Sequence, residues 1–115
     1  SLGLVGSEMC IRDREEEYQN LSDSIKDTIT SNGDSTEELN DLLKTYSEWM
    51  TKLKAMSDKN VSHLSEMCIQ GYTMGMIKAI QKNHLYCDAS KEAKHFGDKL
   101  ISLHEKSIQD LKKYL

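Results

Sequence analysis

The cysteines and histidines able to act as nucleophiles, bases or metal ligands are few: Cys10, Cys68 and Cys87, and four histidines, of which His84, His95 and His104 lie nearest the C-terminus. A cysteine becomes a nucleophile when a base takes its proton and a third group orients that base. His84, close before Cys87, is the one local pairing of that kind. His84, His95 and His104 could converge on a metal, but lone histidines on helices more commonly sit at edges or on the surface. Neither HExxH nor CxxC is present, nor Glu-x-x-His on two helices, nor a glycine-rich phosphate loop. No carboxylate pair stands apart from the scatter of surface Asp and Glu. Tyr72 and Tyr86 could line a small pocket, and both also suit core or edge packing. The expectation is a non-enzymatic protein with no catalytic residue, no metal and no cofactor, which works by presenting a surface.

A chain of 115 residues has room for one domain with a modest core. It is 37 % hydrophobic and 30 % charged and lacks proline, which predicts a helical bundle with short connections. A net charge of −4 without a dense Lys/Arg stripe argues against nucleic acid as partner. No run of about 18 apolar residues exists, which argues against membrane insertion. A protein partner remains, with a homodimer as one form of it.

The least charged long stretch is residues 61–82. One row, Val61, Leu64, Cys68, Gly71, Tyr72, Gly75 and Ala79, has helical spacing; a second, Met67, Met74 and Ile77 with Met76 and Ile80 beside it, widens the stripe. This predicts a central helix against which the others pack. Glycine inside a helix costs about 1 kcal/mol relative to alanine, so Gly71 and Gly75 predict close helix packing, with Tyr72 and Ala79 on the same face. Before it, Tyr18, Leu21, Ile25 and Ile29 predict an amphipathic helix over Glu15–Ile29, closed near Asn32 and Gly33. Ser35 and Glu38 form a candidate capping box. The next helix carries Leu39, Leu42, Leu43, Tyr46, Met50, Leu53 and Met56, with Trp49 at the edge of the stripe. Asp58 or Asn60 is placed to cap the central helix, and Asp88 or Ser90 the last one. That last stripe runs Phe96, Leu100, Leu103, His104, Ile108, Leu111 and Leu115, with a bend or break expected at Gly97. The fold class is therefore all-α: a compact bundle of four main helices, short loops and antiparallel neighbours.

Residues 4–14, LVGSEMCIRDR, resemble the translation of a transposase-based sequencing adapter joined to an open reading frame. That resemblance implies that residues 1–14 are a non-native segment and that 15–115 form the single helical domain. Setting Cys10 aside leaves Cys68 and Cys87. A short loop returning from the helix would bring them within disulfide reach; two buried free thiols are the alternative.

The stretch Cys68-Ile69-Gln70-Gly71-Tyr72-Thr73-Met74-Gly75, followed by Ala79 and Cys87, resembles the core motif of small periplasmic immunity proteins. These neutralise cell-wall amidase toxins delivered by type VI secretion. Lys99–His104 is similar to a later segment of that family, whereas Asp88-Ala89 and Glu105 stand where the family has Ile-Pro and proline. The resemblance covers the second half of the chain. It implies a Cys68–Cys87 disulfide, a periplasmic or otherwise oxidising compartment, and inhibition of an amidase by occluding its active site. Asn32, Asp34, His84 and Tyr86, in connecting segments, would face such a partner. The alternative is a helical subunit or adaptor of a larger assembly, docking through Leu39–Met56 or the C-terminal stripe. A ligand-binding bundle is a third reading, and would require a real cavity beside the central helix.

Overall fold

Four helices make up almost all of the described chain in the computed structural model: α1 (Leu2–Asn32), α2 (Glu37–Ser57), α3 (Leu64–Leu85) and α4 (Lys91–Lys112). The structure describes residues 2–32, 37–57, 63–86 and 90–115, and the side chains of all these except 2–5, 7, 32 and 57. No strand occurs among them. Consecutive helices run antiparallel, as side-chain contacts along each pair show. Gly71 of α3 faces Met56 of α2, while Lys82 further along α3 donates to Thr45 at 2.7 Å. Gly75 faces His104 of α4, and Asn83 donates to Asp98 at 3.0 Å. Arg14 of α1 pairs with Asp110 near the end of α4, and each helix touches the other three. The longest dimension, 49 Å, is close to the length of α1, about 46 Å at 1.5 Å per residue.

Three boundaries differ from expectation. α1 starts at Leu2 and runs without interruption through the adapter-like segment, where Ile11 is buried and Arg14 bonds Glu17 and Asp110. α3 continues beyond Lys82 to Leu85, so residues 83–85 are helical rather than a turn. α4 passes Gly97 unbroken. At Gly97 the missing side chain makes room for a neighbour: the Asn83 carboxamide lies where a Cβ would be, so steric access and not backbone bending explains the residue. Ser90 caps α4 by accepting from the Ala93 amide at 3.2 Å. The cap position of α3 is His63, which makes no side-chain cap, in place of the expected Asp58 or Asn60. Those two residues, and Ser35 of the capping box, lie outside the described residues.

The core takes one stripe from each helix. α2 buries Leu39, Tyr46, Trp49, Leu53 and Met56; α4 buries Ala93, Phe96, Leu100, Leu103, His104 and Leu111. The Tyr46 hydroxyl crosses between them to donate to the Phe96 carbonyl at 2.9 Å. Both stripes expected as docking faces are thereby used inside the molecule. α3 is not enclosed by its neighbours as a central helix would be. Its first row, Leu64, Cys68, Gly71, Tyr72 and Ala79, is buried, but Met74, Ile77 and Ile80 face outward.

Candidate functional site

At the middle of the bundle each helix contributes one ring: Tyr18 from α1, Trp49 from α2, Tyr72 from α3 and His104 from α4. Every pair among them has centroids between 4.6 and 6.4 Å apart. The closest pair, Trp49 and His104, meets edge to face at 77°, a geometry in which an edge hydrogen points into a π face. Trp49, expected at the margin of its stripe, sits in this centre because Gly75 on the facing helix leaves space for the indole: a methyl there would lie 3.4 Å from Trp49 Cζ3.

His104 is 1 % exposed, and burial pushes its imidazole down to about 4, so the ring is neutral at pH 7. The Tyr18 hydroxyl lies 2.6 Å from Nδ1 and 3.5 Å from Ser107 Oγ. Ser107 spends its own proton on the Leu103 carbonyl at 2.7 Å. Tyr18 has one proton to give, and we assign it to the shorter contact, Nδ1, because a phenol is the stronger donor and a neutral imidazole nitrogen the stronger acceptor. The imidazole proton then sits on Nε2, which faces Gly75: a methyl on that glycine would lie 3.0 Å from Nε2. Burial also raises the phenols of Tyr18, Tyr46 and Tyr72, keeping them protonated. Trp49 Nε1 and Tyr72 Oη are buried with no hydrogen bond of normal geometry, each beside a polar neighbour, Tyr18 and Ser107 respectively.

The residues singled out for chemistry are not brought together. His84 and His95 are exposed while His104 is in the core, and among the described residues no group of His, Cys, Asp and Glu could hold a metal ion. Cys68 is a fully buried free thiol, pushed up to about 11 by burial, which makes it a poor nucleophile. The expected Cys68–Cys87 disulfide is not formed: among the described residues, Cys10 and Cys68 are free. The straight course of α3 gives the reason. From Cys68 to Leu85 the helix advances about 25 Å, and the two residues from there to Cys87 could return about 7 Å. Cys87 itself lies outside the described residues.

Of the residues expected to face a partner, His84 is exposed in the last turn of α3. Tyr86 is half-buried just after it, its phenol raised by the Asp41 carboxylate. Asn32 ends α1 without a described side chain, and Asp34 lies outside the described residues. Gly71 and Tyr72 are buried; a methyl at Gly71 would meet the Met56 thioether at 3.1 Å, and Ala79 is buried against the core. The surface that sequence reasoning passed over is the outer face of α3. Met74 is 54 % exposed, Ile77 45 % and Ile80 38 %, with Gln70, Gln81 and His84 around them. The available signal was the second apolar row, which was read as extra core.

Compared with family models, curated proteins and solved structures, the chain matches none.

Proposed function

We propose that this chain is a non-enzymatic protein-binding bundle, a helical subunit or adaptor that docks an apolar helix of a partner protein on the outer face of α3. The observation that carries this is the exposure of Met74, Ile77 and Ile80 side by side on the outer face of α3. From Met67 to Ile77 the helix carries no charged residue, in a chain that is 30 % charged. Interface cores are depleted in charge and enriched in methionine, and a contiguous apolar patch on a filled bundle marks a contact site. The adaptor reading therefore stands ahead of amidase immunity, whose implied disulfide α3 does not allow. The docking face moves from the α2 and α4 stripes to α3.

The test is site-specific photocrosslinking from Ile77 in the cells that encode the protein, with Lys26 on exposed α1 surface as control. A discrete adduct at Ile77, lost when Met74 and Ile80 are both changed to Glu, is expected. An adduct consisting of two copies of this chain would make the partner a homodimer mate. Crosslinking at Ile77 no stronger than at Lys26 overturns the proposal.

A further inference from the structure

We propose that the cleft among α2, α3 and α4, floored by Gly75 and His104 and walled by Trp49, binds a small planar carboxylate. The cleft has a volume of about 170 Å³ and is lined by Trp49, Met74, Gly75, Leu100 and His104, with Thr45, Glu48, Lys52 and Lys78 at its rim. A cavity of about 150 Å³ accommodates one benzene ring, so the space suits a single ring carrying a small substituent. The indole, Leu100 and Met74 supply the apolar walls such a ring needs, and at Gly75 the imidazole and the indole close onto the backbone to form the floor.

The polar groups select the charge. His104 lines the cleft although it is almost wholly buried, and its Nε2, beside Gly75, has no hydrogen-bond partner among the described residues. With Nδ1 held by Tyr18, Nε2–H is a fixed donor at the floor, and a carboxylate oxygen is the acceptor that matches it. Lys52 lies one turn along α2 from Trp49, and Lys78 one turn along α3 from Gly75. The two helices are antiparallel, so the ammonium groups approach the cleft from opposite ends on long flexible stems. Glu48 is the one opposing charge on the rim, leaving it net positive. The ring would rest against the indole and the carboxylate would accept from Nε2–H, with both lysines in reach of the remaining oxygen. Exclusion of water by the walls strengthens each of these contacts.

Trp49 is the single tryptophan, so its emission reports the cleft alone. The intact chain is titrated at pH 7 with benzoate, and with benzamide as the uncharged isostere. Saturable change in Trp49 emission is expected, with a Kd in the millimolar range natural to so small a ligand. Benzamide should bind about tenfold more weakly. Changing Lys52 and Lys78 together to Gln should weaken benzoate about tenfold and leave benzamide unaffected. Both lysines are exposed, so the fold is not at stake in that variant. A non-saturating response, equal binding of benzoate and benzamide, or no effect of the double lysine variant would each overturn the proposal. Ile77, the crosslinking position, does not line the cleft, whereas Met74 does, so the double lysine variant, which leaves Met74 unchanged, is the one that separates this test from the docking test.

Discussion

On its inner face α3 carries Cys68, Gly71, Tyr72, Gly75 and Ala79; on its outer face it carries Met74, Ile77 and Ile80. Gly71 and Gly75 on the inner face let large groups of the neighbours, Met56 and Trp49 from α2 and His104 from α4, reach close to its backbone. The outer face has no such neighbour and keeps its large apolar groups exposed. Within one helix, then, Gly71 and Gly75 mark where the neighbours come closest, while Met74, Ile77 and Ile80 mark a surface the fold does not cover. Hydrophobicity alone cannot separate the two faces; the packing of the neighbours does.

Truncation inside should be far more costly than truncation outside. Trp49→Ala removes a ring that meets the other three of the centre and should lower unfolding free energy by about 3–5 kcal/mol in denaturant titration. If the loss is under about 1 kcal/mol, the ring centre is not what holds the helices together.

The second effect is pH-dependent. His104 has a folded value near 4 against an ordinary 6.5, so it is the unfolded chain that gains protons first on acidification. Its contribution is complete above pH 6.5 and is lost as pH falls through 4, a difference of about 3 kcal/mol. Among the described residues no charged group lies within hydrogen-bond distance to offset this; its partners are Tyr18 and, beyond it, Ser107. His104→Phe should be less stable at pH 7, because the Tyr18 hydroxyl loses its short partner, but should show a shallower decline between those pH values. An unchanged slope would mean that His104 is not buried neutral.

The two glycines sharpen the contrast further. Gly75→Ala sets a methyl against His104, which Tyr18 holds in place, and should cost about 1–3 kcal/mol. Gly71→Ala meets the flexible end of Met56 and gains helix propensity, so it should fall within about 1 kcal/mol of wild type and be the more stable of the pair. The smallest effect belongs to the outer face: Ile77→Gln should change stability by no more than about 0.5 kcal/mol, while removing the partner contact. A large loss of stability there would place Ile77 in the core and remove the basis for docking.

The helical class and the buried stripes of α2 and α4 were legible because apolar residues there recur at three- and four-residue steps with charges between them. The inner row of α3 was legible for the same reason. Its second row was misread because Met74, Ile77 and Ile80 are hydrophobic enough to suggest core, and only the packing of neighbours shows that nothing covers them. The pairing of Tyr18 with His104 joins residues 86 positions apart, and no local period encodes it. The break expected at Gly97 failed because glycine answers to two needs, a backbone freed from Cβ and a space left for something else; the Asn83 side chain, on another helix, decides between them. The disulfide failed on length, since helical rise separates residues that a count of positions leaves near.

The ring centre has a consequence for how the molecule can be assembled. α1 and α2 together hold Tyr18 and Trp49; α3 and α4 hold Tyr72 and His104. Neither hairpin possesses enough of the centre to bury its own aromatic surface, and the Tyr18 hydroxyl finds its acceptor only in the other half. Formation of the centre is thus an all-or-none event for the chain. Two fragments divided between α2 and α3 would each be poorly ordered alone, and would carry complementary halves of one recognition surface.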